Sequence, residues 1–260
     1  MDLGIKGRTA LVMGSSQGLG LACAIALAQE GVNVWLTSRN QDNLDRAAAE
    51  LKGAAGIGVA GTVAADITTE EGRAKVIATV KDVDILVTNN AGPSPGSMAE
   101  WDRDALIAGF DNNMIPHFQL IRHYIPGMRQ RKFGRIVNLT SAMVKSPRLH
   151  QALSIAARTA LTGVSKALSI QVAVDNVTIN NLLPERIDTP RQEQLSRREM
   201  VTLGLTYEQA RERIANTIAA KRFGTPAEFA AACAFLCSVQ ASFISGQNLG
   251  IDGGSYPGLI

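Results

Sequence analysis

Cysteine is scarce in this 260-residue chain: three residues, at positions 23, 233 and 237, with no spacing that suits a metal. All three fall in apolar, helix-like segments, so buried, reduced thiols in a cytoplasmic protein are expected, and a metal site is not. Aromatics make up only 5% and the formal charge is only +3. With no basic block interleaved with aromatics, nothing points to nucleic acid. No apolar run is long enough to cross a bilayer, and the first strand begins within a few residues of Met1, which leaves no room for a leader. What remains is a chain 46% hydrophobic and 19% charged, suited to a single globular α/β domain over 1-260.

The most informative stretch runs from Thr9 to Gly31. Thr9 to Met13 reads as a buried strand, and the turn Gly14-Ser15-Ser16-Gln17-Gly18-Leu19-Gly20 leads into a helix carrying Leu21, Ala22, Ile25 and Ala26. Strand, glycine turn and helix N-terminus in succession gather unpaired backbone N–H groups at the positive end of a helix dipole, a place for phosphate. Gly14 permits the turn, Gly18 lets a ligand approach the backbone, and Gly20 lets helix and strand pack closely. A second strand, Val32 to Thr37, ends at Ser38-Arg39. An acidic residue there would bind ribose hydroxyls, whereas an arginine can pair with a 2′-phosphate, so Arg39 favours NADP(H) over NAD(H). Gly53 is the expected stop of the next helix, and Val59 to Ala64 a third strand. Asp66 can accept from an adenine amino group or cap its own turn, and Thr68 to Glu71 has the form of a capping box. Val83 to Val87 then delivers Asn89-Asn90-Ala91-Gly92. The alternation predicts a doubly wound parallel sheet of Rossmann type, with ligands beyond the carboxyl ends of its strands.

These motifs, together with Asn113, with Ser141 ending Arg135 to Thr140, with Asn180 to Thr189 and with Asp252-Gly253-Gly254, resemble the short-chain dehydrogenase/reductase family over nearly the whole chain. General appearance is nearest to the 3-oxoacyl-[acyl-carrier-protein] reductases. The resemblance implies a homotetramer or homodimer and a bound nicotinamide cofactor. It assigns cofactor contacts to Gly14, Ser16, Gln17, Gly18, Leu19, Gly20, Ser38, Arg39, Asp66, Ile67, Asn90, Ala91, Gly92, Arg158, Pro184, Glu185, Ile187 and Thr189. A ketone or secondary alcohol would be the substrate, with Asn113, Ser141, Ser154 and Arg158 in the catalytic positions.

Two departures from the family stand at those positions. The family places Tyr-x-x-x-Lys about thirteen residues after the serine, a phenol and an ammonium one helical turn apart. Here that register holds Ser154-Ile155-Ala156-Ala157-Arg158, and no nearby tyrosine restores the motif by a shift. Arg158 keeps a positive charge that can bridge ribose hydroxyls. Ser154 is a far weaker acid than a phenol and needs a base or a water relay. The second departure is Pro184-Glu185 where relatives carry Pro-Gly. Glu185 is either a proton donor or a structural partner of Arg158 or Arg186. His150 is a further candidate acid against a merely solvated histidine. Pro116, lacking an N–H, should leave the carbonyl of Asn112 free in a kinked helix, with an ordered water beside Asn113 that could serve a relay.

Residues 190-220 leave the sheet pattern and read as polar helices forming a substrate lid. Arg191, Arg197, Arg198, Arg211 and Arg213 alternate there with Glu193, Glu199, Glu208 and Glu212. Either this is a solvated face or the excess of arginine serves an anionic substrate. The leading expectation is therefore an oxidoreductase between ketone and alcohol. Two alternatives are a cofactor-binding sensor or oligomer partner with little turnover, and a non-redox acid/base enzyme using Glu185.

Overall fold

A computed structural model describes residues 1–259. Seven strands form one parallel sheet: β1 (Thr9–Met13), β2 (Asn33–Ser38), β3 (Gly61–Ala64), β4 (Ile85–Thr88), β5 (Gly134–Leu139), β6 (Val177–Pro184) and β7 (Asn248–Ile251), in the order β3-β2-β1-β4-β5-β6-β7. The order reverses between β1 and β4, so a crevice opens at the carboxyl ends of those strands. The helices are α1 (Gly18–Gln29), α2 (Gln41–Ala55), α3 (Glu70–Thr79), α4 (Arg103–Asn113), α5 (Ile115–Gln130), α6 (Ala152–Val172), α7 (Pro190–Leu203), α8 (Tyr207–Asn216) and α9 (Pro226–Cys237).

Alternation along β1 sorts the two cores. Ala10 and Val12 face α1, α2 and α9 through Leu27, Leu44, Leu51 and Phe229. Leu11 and Met13 face the other layer, with Val76 of α3, Leu120 and Met128 of α5, and Leu161 of α6. A strand covered on both sides must be apolar throughout, as Thr9–Met13 nearly is. The three cysteines are free and buried. No described helix is long and apolar enough to cross a membrane.

Several local expectations shift. Helix α2 runs past Gly53 and stops at Gly56, whose φ of 72° supplies the left-handed cap. The cap of α3 is Thr69, accepting from Gly72 N; Thr68 instead donates through N and Oγ1 to Asp66. The long helix around Asn113 is broken outright at Met114, and Pro116 stands in the first turn of α5, where its missing N–H costs nothing. The final helix opens on a capping box: Thr225 and Glu228 cap each other's backbone, and Pro226 stands in the first turn.

Candidate functional site

A cleft of about 1010 Å³ lies along the carboxyl edge of β1, β2, β4, β5 and β6, and α7 flanks it. Every residue expected at the site lines this cleft except two, Gly20 and Asn113. Both stand behind its wall, for different reasons.

At the nucleotide end the backbone does the shaping. Gly14 and Gly18 have φ of 56° and 60°, values that L side chains rarely adopt. A Cβ on Gly20 would fall 2.3 Å from the Gly14 carbonyl oxygen, so this glycine seats α1 against the turn rather than touching a ligand. At Gly18 the nearest atom to a Cβ would be Thr189 Cβ at 3.9 Å, across a gap that the missing side chain keeps open. Side chains cap α2, α3, α4, α7, α8 and α9, but Gln17 makes no such bond to α1. The first N–H groups of α1 are thus left for an anion, and a dinucleotide's phosphates fit them. Arg39 is exposed at the end of β2 and has no hydrogen-bonded partner among the described residues. Asp66 is spent on its own turn, through Thr68 N at 3.0 Å and Oγ1 at 2.8 Å. Burial opposes ionisation there, but those bonds and the charge of Arg39 hold the carboxyl below its ordinary range.

At the other end, side chains do the work. Ser154 and Arg158 sit one turn apart on α6, and Arg158 Nη1 donates to Ser154 Oγ. The guanidinium lies over Gly92, where a Cβ would come within 2.9 Å of Nη1. Burial pushes Arg158 down to about 10, the positive charge of Arg191 acting the same way, and it stays protonated at neutral pH. Ser141, 8% exposed at the end of β5, accepts from Met143 N at 3.2 Å. Both serine oxygens are therefore engaged as acceptors, and their O–H groups are free to donate into the cleft.

Asn113 is buried behind Asn90. Its Nδ2 donates to Asn90 O at 3.4 Å, while its Oδ1 has no protein partner. The break at Met114 does free the carbonyl of Asn112, but Asn90 Nδ2 fills it at 2.9 Å, in place of the expected water. One turn on, buried His117 sets Nδ1 3.1 Å from Asn113 O. Burial drives His117 down to about 4, and Arg158 pushes the same way against the pull of the Asn113 and Asn89 carbonyls.

Glu185 pairs with Arg148 at 2.6 Å and Arg186 at 3.2 Å, and not with Arg158. Arg148 went unnoticed in the sequence because its partner lies 37 residues away, beyond any helical or strand spacing. His150 adopts φ 66° in an exposed loop and binds Gly96 O through Nδ1 at 3.2 Å, on the cleft wall but solvated. Two polar helices, α7 and α8, occupy most of the segment that departs from the sheet pattern.

Comparison with known proteins agrees with this geometry. The family described as enoyl-(acyl carrier protein) reductase matches residues 14–256. NADPH-dependent reductase BacG of Bacillus subtilis is 32% identical over 256 residues, covering 97% of this chain and 99% of that protein. Dehydrogenase/reductase SDR family member 4 of Bos taurus is 35% identical, covering 98% and 89%. L-sorbose reductase from Gluconobacter frateurii, solved with NADPH and L-sorbose, superposes with a TM-score of 0.94 at 32% identity, each chain covered completely. The chain belongs to the short-chain dehydrogenase/reductase family, oxidoreductases that work between alcohols and carbonyls with a nicotinamide dinucleotide.

Proposed function

We propose that this protein is an NADPH-dependent oxidoreductase interconverting a ketone and a secondary alcohol, with Ser154 and Arg158 replacing the family's phenol and ammonium beside the retained Ser141. When bound, the nicotinamide supplies the hydride. Gly14 to Leu19 with Thr189 hold the phosphates, Arg39 pairs with the 2′-phosphate, and Arg158 over Gly92 meets the ribose. Ile67, Ala91, Pro184 and Ile187 line the same cleft between those points.

The observation that carries the reading is the bond from Arg158 Nη1 to Ser154 Oγ. A hydroxyl whose oxygen accepts from a guanidinium is a better donor through its own proton, because the cation withdraws electron density. Ser141 and Ser154 together then aim two O–H groups at one substrate oxygen and stabilise the negative charge developing on it. A serine hydroxyl is too weak an acid to be left as an alkoxide at neutral pH, so a proton must return to Ser154 from water while Arg158 stays charged. Asn113 and Asn90 brace the back of the site.

Removing either hydroxyl tests this. Ser141→Ala lowers kcat with a cyclic or aliphatic ketone by about a hundredfold or more, while NADPH affinity by fluorescence titration changes little. Full activity in that variant would refute the assignment. A low-turnover sensor remains the second reading because the tyrosine is absent. Activity arising only in Ser154→Tyr with Arg158→Lys would favour it. Glu185 as a non-redox acid loses support, since its carboxylate is already engaged by two guanidiniums.

Exposed Ile170 in the last turn of α6 and Val174 just beyond it, 71% and 82% accessible, support a homotetramer or homodimer, and sedimentation would measure it. A cytoplasmic location belongs to the same proposal, on the strength of three unpaired thiols.

A further inference from the structure

The arginines around the cleft divide into those already neutralised and those left bare. Arg148 and Arg186 both serve Glu185. Glu199 is taken by Arg213 at 3.0 Å. On the outer side of α7, Glu193 and Arg197 neutralise each other at 2.7 Å. The side of α7 facing the cleft carries Arg191, Leu195, Arg198 and Thr202, a helical stripe with two positive charges, and its one acidic neighbour on the cleft, Glu199, is the carboxylate already held by Arg213. Neither Arg191 nor Arg198 has a hydrogen bond or ion pair through its guanidinium among the described residues, and no carboxylate reaches Arg158 either. Arg191 is near enough to Arg158 to push its protonation down. Like charges gathered at a reacting end cost free energy unless a ligand repays it.

We propose that the substrate's carbonyl is accompanied by a carboxylate, held by Arg191 and Arg198 from α7 while Ser141 and Ser154 take the carbonyl oxygen. This oxo-acid assignment rests on the oxidoreductase reading and narrows it. A solvated helix face does not explain the sorting, because α7 places its self-neutralising pair outward and its bare pair inward. The positive N-terminal end of α7, capped by Thr189, adds to the same field at Arg191.

The test is calorimetric titration of the NADP⁺-saturated protein, which cannot reduce a ketone, with 2-, 3-, 4- and 5-oxo acids and the methyl ester of each. At least one acid binds about tenfold or more tightly than its ester, as a charge-assisted bidentate contact requires. Arg191→Gln and Arg198→Gln each cut that preference, and the double variant removes it. The proposal is overturned if no acid outbinds its ester, if the double variant keeps the preference, or if Arg191→Gln weakens only NADP⁺. Turnover is read separately with NADPH. Ester reduction without acid preference defeats the carboxylate site alone, whereas acid binding without any turnover defeats the redox reading alone.

Discussion

The two ends of the cleft are built from different materials. The nucleotide end is made by backbone: two glycines at positive φ, a third pressed against a carbonyl, and a helix left uncapped. The reacting end is made by side chains whose bonds reach across four strands. Thr88 Oγ1 donates to Asn138 Oδ1 at 2.7 Å; Asn138 Nδ2 donates to Ser165 Oγ of α6 and to Asn181 Oδ1, both at 2.9 Å; Asn181 Nδ2 donates to Asn248 Oδ1 at 2.8 Å. That buried ladder ties α6, with Ser154 and Arg158, to the sheet. Steric construction tolerates almost no change, whereas a polar one can exchange residues if the bonds are remade. The proposed reading fits that contrast: serine and arginine stand at 154 and 158, where the family resemblance leads one to expect a phenol and an ammonium, while the turn keeps its glycines at 14, 18 and 20.

Gly20→Ala is the strongest way to break the first end. Its methyl group would meet the Gly14 oxygen at 2.3 Å, a contact with backbone and not with a side chain able to yield. A loss of about 3 kcal/mol or more in urea denaturation is expected, together with loss of NADPH binding.

The reacting end has its own weakness, in acid. His117 titrates at about 4 in the folded protein against 6.5 for the free side chain. Between those values the unfolded chain binds a proton that the native one refuses, so stability falls as pH drops from 6.5 to 4 and is fully present above. The loss reaches about 3 kcal/mol at most from this group. Urea midpoints measured across that window should flatten in His117→Gln. An unchanged slope would place the acid sensitivity elsewhere.

Cutting the ladder is milder. Asn138→Ala leaves the side chains of Thr88, Ser165 and Asn181 short of a partner and should cost about 2 kcal/mol. Because Ser165 lies on α6, kcat should fall further than NADPH affinity. Equal losses in both would show that the ladder serves the whole fold and not the reacting end.

The same contrast decides what could be read from the chain. Steric motifs are local: Gly14 to Gly20 and Thr225-Pro226 announce their turns and caps within a few residues. The spacing of Ser154 and Arg158 is also local, and it puts the two on one face of α6, where they meet. Pairings between distant side chains left no such trace. Asn138 reads as one polar residue in an apolar strand, Arg148 as a loop cation, and Asn90 gives no sign that it will take the carbonyl of Asn112. Even the stop of α2 turned on a choice between Gly53 and Gly56 that composition cannot make, since either glycine can adopt the left-handed cap.

Gly53 supplies the smallest and sharpest test. It lies inside α2, in the nucleotide half, and a Cβ there would find nothing within 4 Å. Gly53→Ala should stabilise by about 0.5–1 kcal/mol, because alanine loses less backbone freedom in a helix. In a chain of this size that is a rise of about 1–3 °C in Tm, with NADPH affinity unaltered. Set beside Gly20→Ala, the same methyl group in the same half changes sign. The intolerance of the nucleotide end then belongs to the few glycines that touch backbone or hold φ positive, not to glycine content as such. A destabilised Gly53→Ala would instead mean that α2 itself is strained, and the steric account of this half would have to extend well beyond the turn.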